Sequence, residues 1–182
     1  NKAREWFDTQ KVDMIAELLN SAVGLAVQEV GKQKKRITMN SGAAASRLTG
    51  SDCSPYGVHW TYDTYALSNG TGKAMVKQGG DTWYFLTADY AFGKNLEKDT
   101  TAVVKANGGK VLGSVLHPLS SSDFSGYLLQ AQASKAKVIG LANAGGDTIN
   151  SVKQANEFGI TQGGQKLAGL LVFDTDIDSI GL

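Results

Sequence analysis

The sequence is poor in the residues that most metal sites and disulfides need. It has two histidines and a single cysteine, Cys53, among 182 residues. One cysteine forms no internal disulfide, so Cys53 is a free thiol, a core residue or half of a disulfide with a residue outside this chain, and it assigns no redox compartment. His59 and His117 have no cysteine or carboxylate neighbours at metal-ligand spacing. We interpret both as hydrogen-bonded structural histidines and expect neither a metal nor a cofactor.

The chain also lacks an excess of one charge and a long apolar run. Its 18 basic and 17 acidic residues leave a net charge of +1, which gives no basis for nucleic-acid binding. We interpret the one basic cluster, residues 32–36, as the exposed end of a helix. No apolar run approaches the roughly 20 residues of a membrane span, so we expect no insertion into a membrane. The chain starts inside an apparent helix, without a signal peptide, and ends without a capped element, and we expect a mid-chain fragment.

Sequence signatures of the common catalytic loops are missing as well. There is no Gly-x-Ser-x-Gly elbow and no phosphate-binding Gly-x-x-x-x-Gly-Lys loop, and the Gly-Thr-Gly at residues 70–72 follows no strand. Asp174, Asp176 and Asp178 alternate as in a calcium loop, but neither its Asp-Gly turn nor its closing glutamate follows. We therefore predict that the chain is not an enzyme, and we interpret the three aspartates as a solvated loop.

What the sequence does contain is a regular alternation of strand-like and helix-like segments. In the last two thirds, apolar strands start at intervals of 29, 27 and 29 residues, at Thr82, Val111, Val138 and Leu167. This interval is typical of one strand plus one helix. The pattern predicts parallel sheets with helices on both faces and right-handed crossovers. The last strand is expected to cover residues 167–173.

The first third follows the same pattern. Residues 11–19 predict a strand, and Ser21 is the predicted N-cap of a helix that ends at Gly31. Residues 37–39 alternate as a second strand, and residues 57–61 predict a third.

Three later helices are predicted, two of them with an N-cap residue and one with two glycines in its middle. Asp123 and Asp147 are the predicted N-caps of two of them. Gly70 and Gly72 weaken a third, through residues 66–76, by about 1 kcal/mol each relative to alanine. We expect close packing against another element to be the reason for both glycines.

Small or polar residues follow several strands at their carboxyl ends. They recur at residues 20–21, 41–45, 87–90 and 143–144 and at Asp174. In an open parallel sheet, ligands bind at this edge. Each group alone is also consistent with a helix cap, and residues 41–45 alone with an ordinary glycine-containing loop. Their recurrence favours a cradle in which backbone N–H groups hold an anion.

A set of motifs in a fixed order carries a family resemblance. The motifs are ITMNSGAA at 37–44, LT at 48–49, WTYDTY at 60–65, TADYAFG at 87–93, DFS at 123–125 and QANEFGI at 154–160. In this order the chain resembles the periplasmic solute-binding proteins of ABC importers, of the leucine/isoleucine/valine-binding type. The resemblance extends over essentially the whole chain.

The resemblance implies an α/β fold of two Rossmann-like lobes with parallel sheets flanked by helices, the type I periplasmic binding protein fold. The ligand would lie in a cleft between the lobes, which close about a hinge. Residues 1–62 would form part of the first ligand-binding lobe, without its opening βαβ unit, and residues 63–182 most of the second.

The resemblance also implies which residues bind the ligand. Ser21 would bind its carboxylate, together with backbone N–H groups around Ala43 and Ala44. Phe92 would lie where the family has an aromatic residue. The complete predicted set is Ser21, Ser41, Gly42, Ala43, Ala44, Asp63, Tyr65, Tyr90, Phe92, Asn143, Ala144 and Asp174.

The sequence departs from the amino-acid binders at two positions. The acidic residue that would hold the ligand ammonium falls near Tyr65, with Asp63 two residues away, and Ala144 replaces an expected aromatic residue. A carboxylate with a larger or aromatic body fits the aromatic residues Tyr62, Tyr65, Tyr90 and Phe92, and a branched-chain amino acid stays the alternative.

These observations predict the solute-binding component of an ABC importer in the bacterial periplasm. It would capture a small organic carboxylate and present it to the membrane permease. A sensory or regulatory ligand-binding domain of the same fold is the alternative, and an α/β enzyme that uses His59 or His117 is a third interpretation.

Overall fold

The structure, a computed structural model, describes residues 1–181. The chain divides into two compact units, the first formed by residues 1–64 and the second beginning at Tyr65. Each unit has one parallel sheet flanked by helices, so the predicted α/β fold class is confirmed. The assignment of residues 1–62 and 63–182 to two ligand-binding lobes stays a prediction. No helix within residues 1–181 has the length and apolar character to span a membrane.

The first unit contains three parallel strands in the order β1-β2-β3. Its elements are α1 (Lys2–Asp8), β1 (Met14–Ile15), α2 (Ser21–Lys34), β2 (Ile37–Asn40), a 3₁₀ turn (Ser46–Leu48) and β3 (Gly57–His59). A small core of Phe7, Ile15 and Leu18 packs against apolar side chains of α1 and α2. Because all three strands are parallel, their carboxyl ends lie at one edge of the sheet.

The prediction for the first strand was wrong in its length. β1 covers Met14–Ile15 and not residues 11–19. Lys11 and Glu17 have φ angles of 57° and 58°. This left-handed conformation is incompatible with a strand, and it limits β1 on both sides.

Both predicted ends of α2 were also wrong. Asn20 is the N-cap, and its side-chain oxygen accepts hydrogen bonds from the N–H groups of Ala22 and Val23. The helix continues past Gly31 to Lys34. A Cβ atom at Gly31 would lie 2.6 Å from Cγ2 of Thr38, so this glycine allows α2 to approach β2 closely.

The basic cluster lies at the end of α2, as predicted. Lys34 pairs with Asp8 at 2.8 Å, and Arg36 pairs with Asp13 at 3.1 Å. Its charges are therefore solvated or paired within the first unit.

The second unit contains four parallel strands in the order β5-β4-β6-β7. Its elements are α3 (Thr64–Lys77, which starts at the last residue of the first unit), β4 (Thr82–Ala88), α4 (Ala91–Ala106), β5 (Lys110–His117), α5 (Ser125–Ala133), β6 (Val138–Ala142), α6 (Gly146–Glu157), β7 (Lys166–Gly169) and α7 (Asp174–Ile180). The repeat read from the sequence is confirmed. Its core contains Leu86, Phe124, Leu128, Ile139 and Leu141.

The last strand and the segment after it differ from the prediction. β7 ends at Gly169 and does not reach residue 173. Asp174, Asp176 and Asp178 all belong to α7 and not to a loop, and the first two lie in its first turn. Asp176 is buried, and its carboxylate accepts a hydrogen bond from the N–H group of Phe173 at 3.1 Å.

Neither Asp123 nor Asp147, the two aspartates predicted as N-caps, occupies an N-cap position. Phe124 occupies that position in α5, although Asp123 still accepts a hydrogen bond from the N–H group of Ser125 at 2.9 Å. Gly145 occupies it in α6, and Asp147 lies within the first turn.

Candidate functional site

The candidate site of the first unit lies where β1, β2 and β3 end. Asn20 and Ser21 follow β1, residues 41–45 follow β2, and Trp60 follows β3. Trp60 donates its backbone N–H to the carbonyl oxygen of Asn40 at 2.9 Å, which continues the β2–β3 pairing to this edge.

Ser21 connects the first two of these segments. Its side chain is buried, and its Oγ accepts hydrogen bonds from the N–H groups of Ala44 at 3.1 Å and Ala45 at 3.2 Å. Ala43 donates its N–H to the carbonyl oxygen of Leu18 at 2.8 Å. The backbone donors of Ala43 and Ala44, predicted to hold a ligand carboxylate, thus hold the loop itself in this structure.

Two other backbone donors of the same loop are available. Among residues 1–181, no group accepts a hydrogen bond from the N–H of Ser41 or of Gly42. A Cβ atom at Gly42 would lie 2.7 Å from Cδ2 and 3.3 Å from Cα of Leu19, so a larger residue would press on the backbone of Leu19 as well as on its side chain. Ser41 and Gly42 therefore offer two adjacent N–H donors at the edge where parallel sheets bind ligands.

The segment after β3 adds aromatic surface to this edge. Trp60 is 80% exposed, which is unusual for so large an apolar side chain. Burial raises the pKa of the Tyr62 phenol, so Tyr62 stays neutral and able to donate a hydrogen bond over a wider pH range. The sequence predicted a third strand over residues 57–61, with Trp60 inside it, but β3 ends at His59. Trp60 was therefore not included among the site residues, although its position beside Tyr62 was an available signal.

Asp63 and Tyr65 lie on either side of the division between the two units. Asp63 precedes α3 and is half-buried, whereas Tyr65 is in the first turn of α3 and exposed. Their proposed part in ligand binding stays a prediction.

In the second unit, Tyr90 and Phe92 lie where β4 passes into α4. Their ring centroids are 5.9 Å apart. Phe92 is buried, and Tyr90 is half-buried. Asp89, between β4 and Tyr90, pairs with Lys94 at 2.6 Å.

Asn143 belongs to a buried polar network at the end of β6. Its amide nitrogen lies 3.3 Å from Nε2 of His117, and its Oδ1 accepts a hydrogen bond from the hydroxyl of Thr148 at 2.8 Å. Nδ1 of His117 lies 2.8 Å from the carbonyl oxygen of Pro118. The structural interpretation of His117 is thus confirmed, and the Asn143 side chain is engaged by protein groups. Ala144 follows directly and is half-buried.

A buried carboxylate fixes the neighbouring loop. Asp147 accepts hydrogen bonds from the N–H groups of Ser120 at 3.1 Å and Ser121 at 2.9 Å. Together with Leu119, Ala144 and Asn150, these residues line an open depression at the carboxyl end of the sheet.

Asp174 and His59 are the remaining polar residues that the sequence singled out. Asp174 is exposed at the start of α7, and its Oδ1 accepts a hydrogen bond from the N–H of Thr175. Nε2 of His59 is buried without a partner among the described residues, so the expectation of a hydrogen-bonded ring was wrong for this nitrogen. Within residues 1–181, no group of three or more metal-ligating side chains is close enough to hold an ion.

Comparison with known proteins supplies the family context. A periplasmic binding protein of Burkholderia mallei is 60% identical, with a TM-score of 0.96, over 100% of this chain and 48% of that chain. A branched-chain amino acid ABC transporter ligand-binding protein of Burkholderia xenovorans is 37% identical, with a TM-score of 0.78, over 99% of this chain and 48% of that chain. A solute-binding protein of Rhodopseudomonas palustris, solved with 4-hydroxybenzoate, is 26% identical, with a TM-score of 0.80, over 91% of this chain and 45% of that chain.

The chain spans about half the length of these solved proteins and less of a curated relative. It covers 32% of the Leu/Ile/Val-binding protein homolog 4 of Brucella abortus, to which it is 27% identical over 132 residues. The family model described as periplasmic binding protein matches residues 1–182. Together with the two parallel α/β units, this match shows that the chain belongs to the periplasmic binding protein family.

Proposed function

We propose that the chain is part of the extracytoplasmic solute-binding component of an ABC importer, and that the complete protein captures a small organic carboxylate. The observation that carries this proposal is the pair of unpartnered N–H donors at Ser41 and Gly42, at the carboxyl edge of the first sheet. Backbone donors at such an edge stabilise an anion without a basic side chain. They also keep their protons at every physiological pH.

The relatives support the carboxylate class. The Rhodopseudomonas palustris protein was solved with 4-hydroxybenzoate, and the Burkholderia xenovorans protein is named for branched-chain amino acids. Both kinds of ligand carry a carboxylate. Trp60 and Tyr62 add aromatic surface beside the two donors, and this favours an acid with an aromatic body.

The other predicted contacts enter the proposal in two groups. Asp63, Tyr65, Tyr90, Ala144 and Asp174 are half-buried or exposed, and we keep them as ligand contacts in a cleft that closes about a hinge. Phe92 and Asn143 are buried, and we assign them the role of supporting the residues around them. The proposed location is the periplasm, and the proposed macromolecular partner is the permease of the importer.

A thermal-shift screen with matched acids and amides tests the ligand class. We expect benzoate or leucine to raise the melting temperature of the full-length protein, because a ligand that binds only the folded state stabilises it. Benzamide and leucinamide should have no effect, since each lacks the anion. A lack of response to every aromatic and aliphatic acid, or an equal response to the amides, would contradict the proposal.

A pair of glycine variants tests whether the ligand binds at the loop of residues 41–45. Gly42→Val should weaken the response to the acid, because its side chain would press on Cα of Leu19, which lies 3.3 Å from a Cβ atom at this position, and so shift the two donors. Gly126→Val is the matched control, since a Cβ atom at Gly126 meets open space. Retained binding in Gly42→Val would place the carboxylate elsewhere.

A further inference from the structure

The imidazole of His117 is fully buried at the end of β5. Its ring packs edge-on against Phe124, with 4.8 Å between the ring centroids, and it lies 6.0 Å from the ring of Tyr127 on α5. A buried imidazole needs a hydrogen-bond partner for each ring nitrogen, because an unpaired polar atom in a protein interior is costly. The two partners of His117 are the adjacent Pro118 and Asn143, which follows β6.

The chemistry of these partners fixes the position of the imidazole proton. The carbonyl oxygen of Pro118, 2.8 Å from Nδ1, can only accept a hydrogen bond, so Nδ1 carries the proton. The amide nitrogen of Asn143, 3.3 Å from Nε2, can only donate, so Nε2 is the acceptor. The neutral Nδ1–H tautomer of His117 is the form that satisfies both contacts.

The same tautomer fixes the orientation of the Asn143 amide. Thr148, in the first turn of α6, donates its hydroxyl to Oδ1 of Asn143 at 2.8 Å. If the amide were rotated by half a turn, its oxygen would face the unprotonated Nε2 of His117, and two acceptors would meet without a proton between them. His117 therefore determines the orientation of Asn143, and Asn143 supplies the acceptor for Thr148.

This chain of hydrogen bonds connects segments on both sides of β4. β5 and β6 pair with β4 at its two edges, so His117 and Asn143 approach each other from the two flanking strands. The carbonyl oxygen of Pro118 also accepts a hydrogen bond from the hydroxyl of Ser121 at 2.8 Å. The loop after β5 is thus joined to the start of α6 through His117.

A second connection joins the same two segments. The carboxylate of Asp147, in the first turn of α6, accepts hydrogen bonds from the N–H groups of Ser120 and Ser121. Ala144 lies between Asn143 and α6, so both ends of its short segment are held. A methyl side chain forms no hydrogen bonds of its own, and the position of Ala144 therefore depends on these two connections.

We propose that His117 is a positioning residue for ligand binding: as the neutral Nδ1–H tautomer it orients Asn143, and through Asn143 it holds Ala144 at the carboxyl edge of the second sheet. This inference rests on the proposed function, because it takes Ala144 as a ligand contact. His117 does not touch the ligand itself, since its ring is fully buried. Loss of its two hydrogen bonds should weaken ligand binding by moving the segment of Ala144 while the protein stays folded.

Nuclear magnetic resonance tests the tautomer directly. In long-range proton–nitrogen spectra of the full-length protein at about pH 8, where an ordinary imidazole is neutral, His117 should show a protonated Nδ1 and an unprotonated Nε2. The spectrum of His117→Phe identifies these signals by their loss. A protonated Nε2, in the other tautomer or in the imidazolium form, would overturn the assignment.

Titration calorimetry of the full-length protein with benzoate or leucine tests the positioning role. His117→Phe keeps an aromatic ring beside Phe124 but removes both hydrogen bonds, and we expect the dissociation constant to rise about tenfold, the factor that one lost hydrogen bond costs. Thr148→Val, which removes the hydroxyl from Asn143 with little change of shape, should weaken binding in the same direction.

Val104→Ala is the matched control. Val104 is fully buried near the end of α4, beside Gly109 and thus at the opposite edge of the sheet from His117. The substitution removes buried apolar volume from the second unit and leaves the hydrogen-bond network in place. Its dissociation constant should stay within about twofold of the wild-type value.

The outcomes separate this inference from the proposed function. If neither benzoate nor leucine binds the wild type, the proposed function fails and this inference fails with it. Equal binding by the wild type, His117→Phe and Thr148→Val would overturn the inference alone, and so would an equal loss in Val104→Ala, since the effect would then come from stability. Circular dichroism checks that each variant is folded, and Thr148→Val decides the test if His117→Phe is not.

Discussion

At the scale of single residues, one hydroxyl group organises the loop that follows β2. The Oγ of Ser21 accepts two backbone hydrogen bonds from this loop, and a Cβ atom at Gly42 would lie 3.3 Å from Cα of Leu19. The buried hydroxyl of Ser21 therefore fixes the loop, and the two donors that remain are those of Ser41 and Gly42.

Replacement of Ser21 by alanine tests this arrangement. Ser21→Ala leaves the N–H groups of Ala44 and Ala45 without their acceptor, and we expect the free energy of unfolding to fall by about 1–3 kcal/mol. Urea denaturation measures the change. Thr9→Ala, which removes an exposed hydroxyl of the same unit, should change stability by no more than about 0.5 kcal/mol. Equal effects of the two substitutions would contradict the role of Ser21.

A buried amide provides a second test in the first unit. Nε2 of Gln28 donates to the carbonyl oxygens of Leu48 at 2.9 Å and Asp52 at 2.8 Å. We expect Gln28→Leu to lower the free energy of unfolding by about 2–4 kcal/mol, because two carbonyl groups lose their donor. Gln33→Leu at an exposed position of α2 is the control. A loss of less than about 1 kcal/mol for Gln28→Leu, similar to the loss in the exposed control, would show that these two hydrogen bonds do not stabilise residues 48–52.

The exposed ion pair between Arg47 and Asp52 predicts a pH dependence of stability. Arg47 binds both carboxylate oxygens of Asp52, and its hydrogen bonds, with one from Ser51, hold the pKa of Asp52 below the ordinary value of 3.8. A depressed folded-state pKa contributes stability above the unfolded-state pKa, and this stability is lost as the pH falls through the folded-state value.

The Arg47→Gln variant measures that contribution. It should be less stable than the wild type by at most about 1 kcal/mol at neutral pH, because the pair is exposed to solvent. The difference should shrink as the pH falls below the unfolded-state value near 3.8. Urea denaturation across this range gives the result, and a difference that grows in acid would contradict the assigned sign.

At the scale of elements, the order of strands and helices was predictable from the sequence, because apolar residues recur at strand and helix spacing in both units. Element ends were less predictable, since they depend on groups that come from distant segments. Asp147 reads as a helix cap from its neighbours alone, but its carboxylate binds Ser120 and Ser121, which lie on another loop. β1 is short because two residues adopt left-handed backbone conformations, and no apolar pattern reveals these.

The two glycines of α3 show how packing separates residues that look alike in sequence. A Cβ atom at Gly72 would lie 3.3 Å from Cγ1 of Val103 and 3.4 Å from Cγ2 of Thr100, so close packing explains this glycine. A Cβ atom at Gly70 meets no atom within 4 Å, and the same expectation was wrong there.

This difference gives a matched prediction. Gly70→Ala should raise the free energy of unfolding by about 0.5–1 kcal/mol, because alanine has the higher helix propensity and nothing obstructs its methyl group. Gly72→Ala should gain less or lose stability, since Val103 and Thr100 must move. Thermal or urea denaturation compares the two, and an equal gain from both would show that α3 does not pack tightly on α4.

At the scale of the whole molecule, the chain contains two parallel α/β units of the periplasmic binding protein family. The fold was predictable because the motif order and the strand spacing agree along the chain. The candidate site was proposed from the sequence at the carboxyl ends of strands, but the sequence does not show which of its backbone groups are free. Which backbone donors stay free depends on the bonds of Ser21 and Leu18, and the exposure of Trp60 depends on packing that the sequence does not show.

The most direct test is to follow the backbone amides of the cradle during ligand titration. In proton–nitrogen correlation spectra of the full-length protein, binding of benzoate or another acid that raises its melting temperature should shift the amide protons of Ser41 and Gly42 downfield. Those of Ala43 and Ala44, which already donate to Leu18 and Ser21, should shift less, and the corresponding amide compound should shift none of them. Binding of the acid that leaves Ser41 and Gly42 unchanged would contradict the account, because the carboxylate would then be held by other groups.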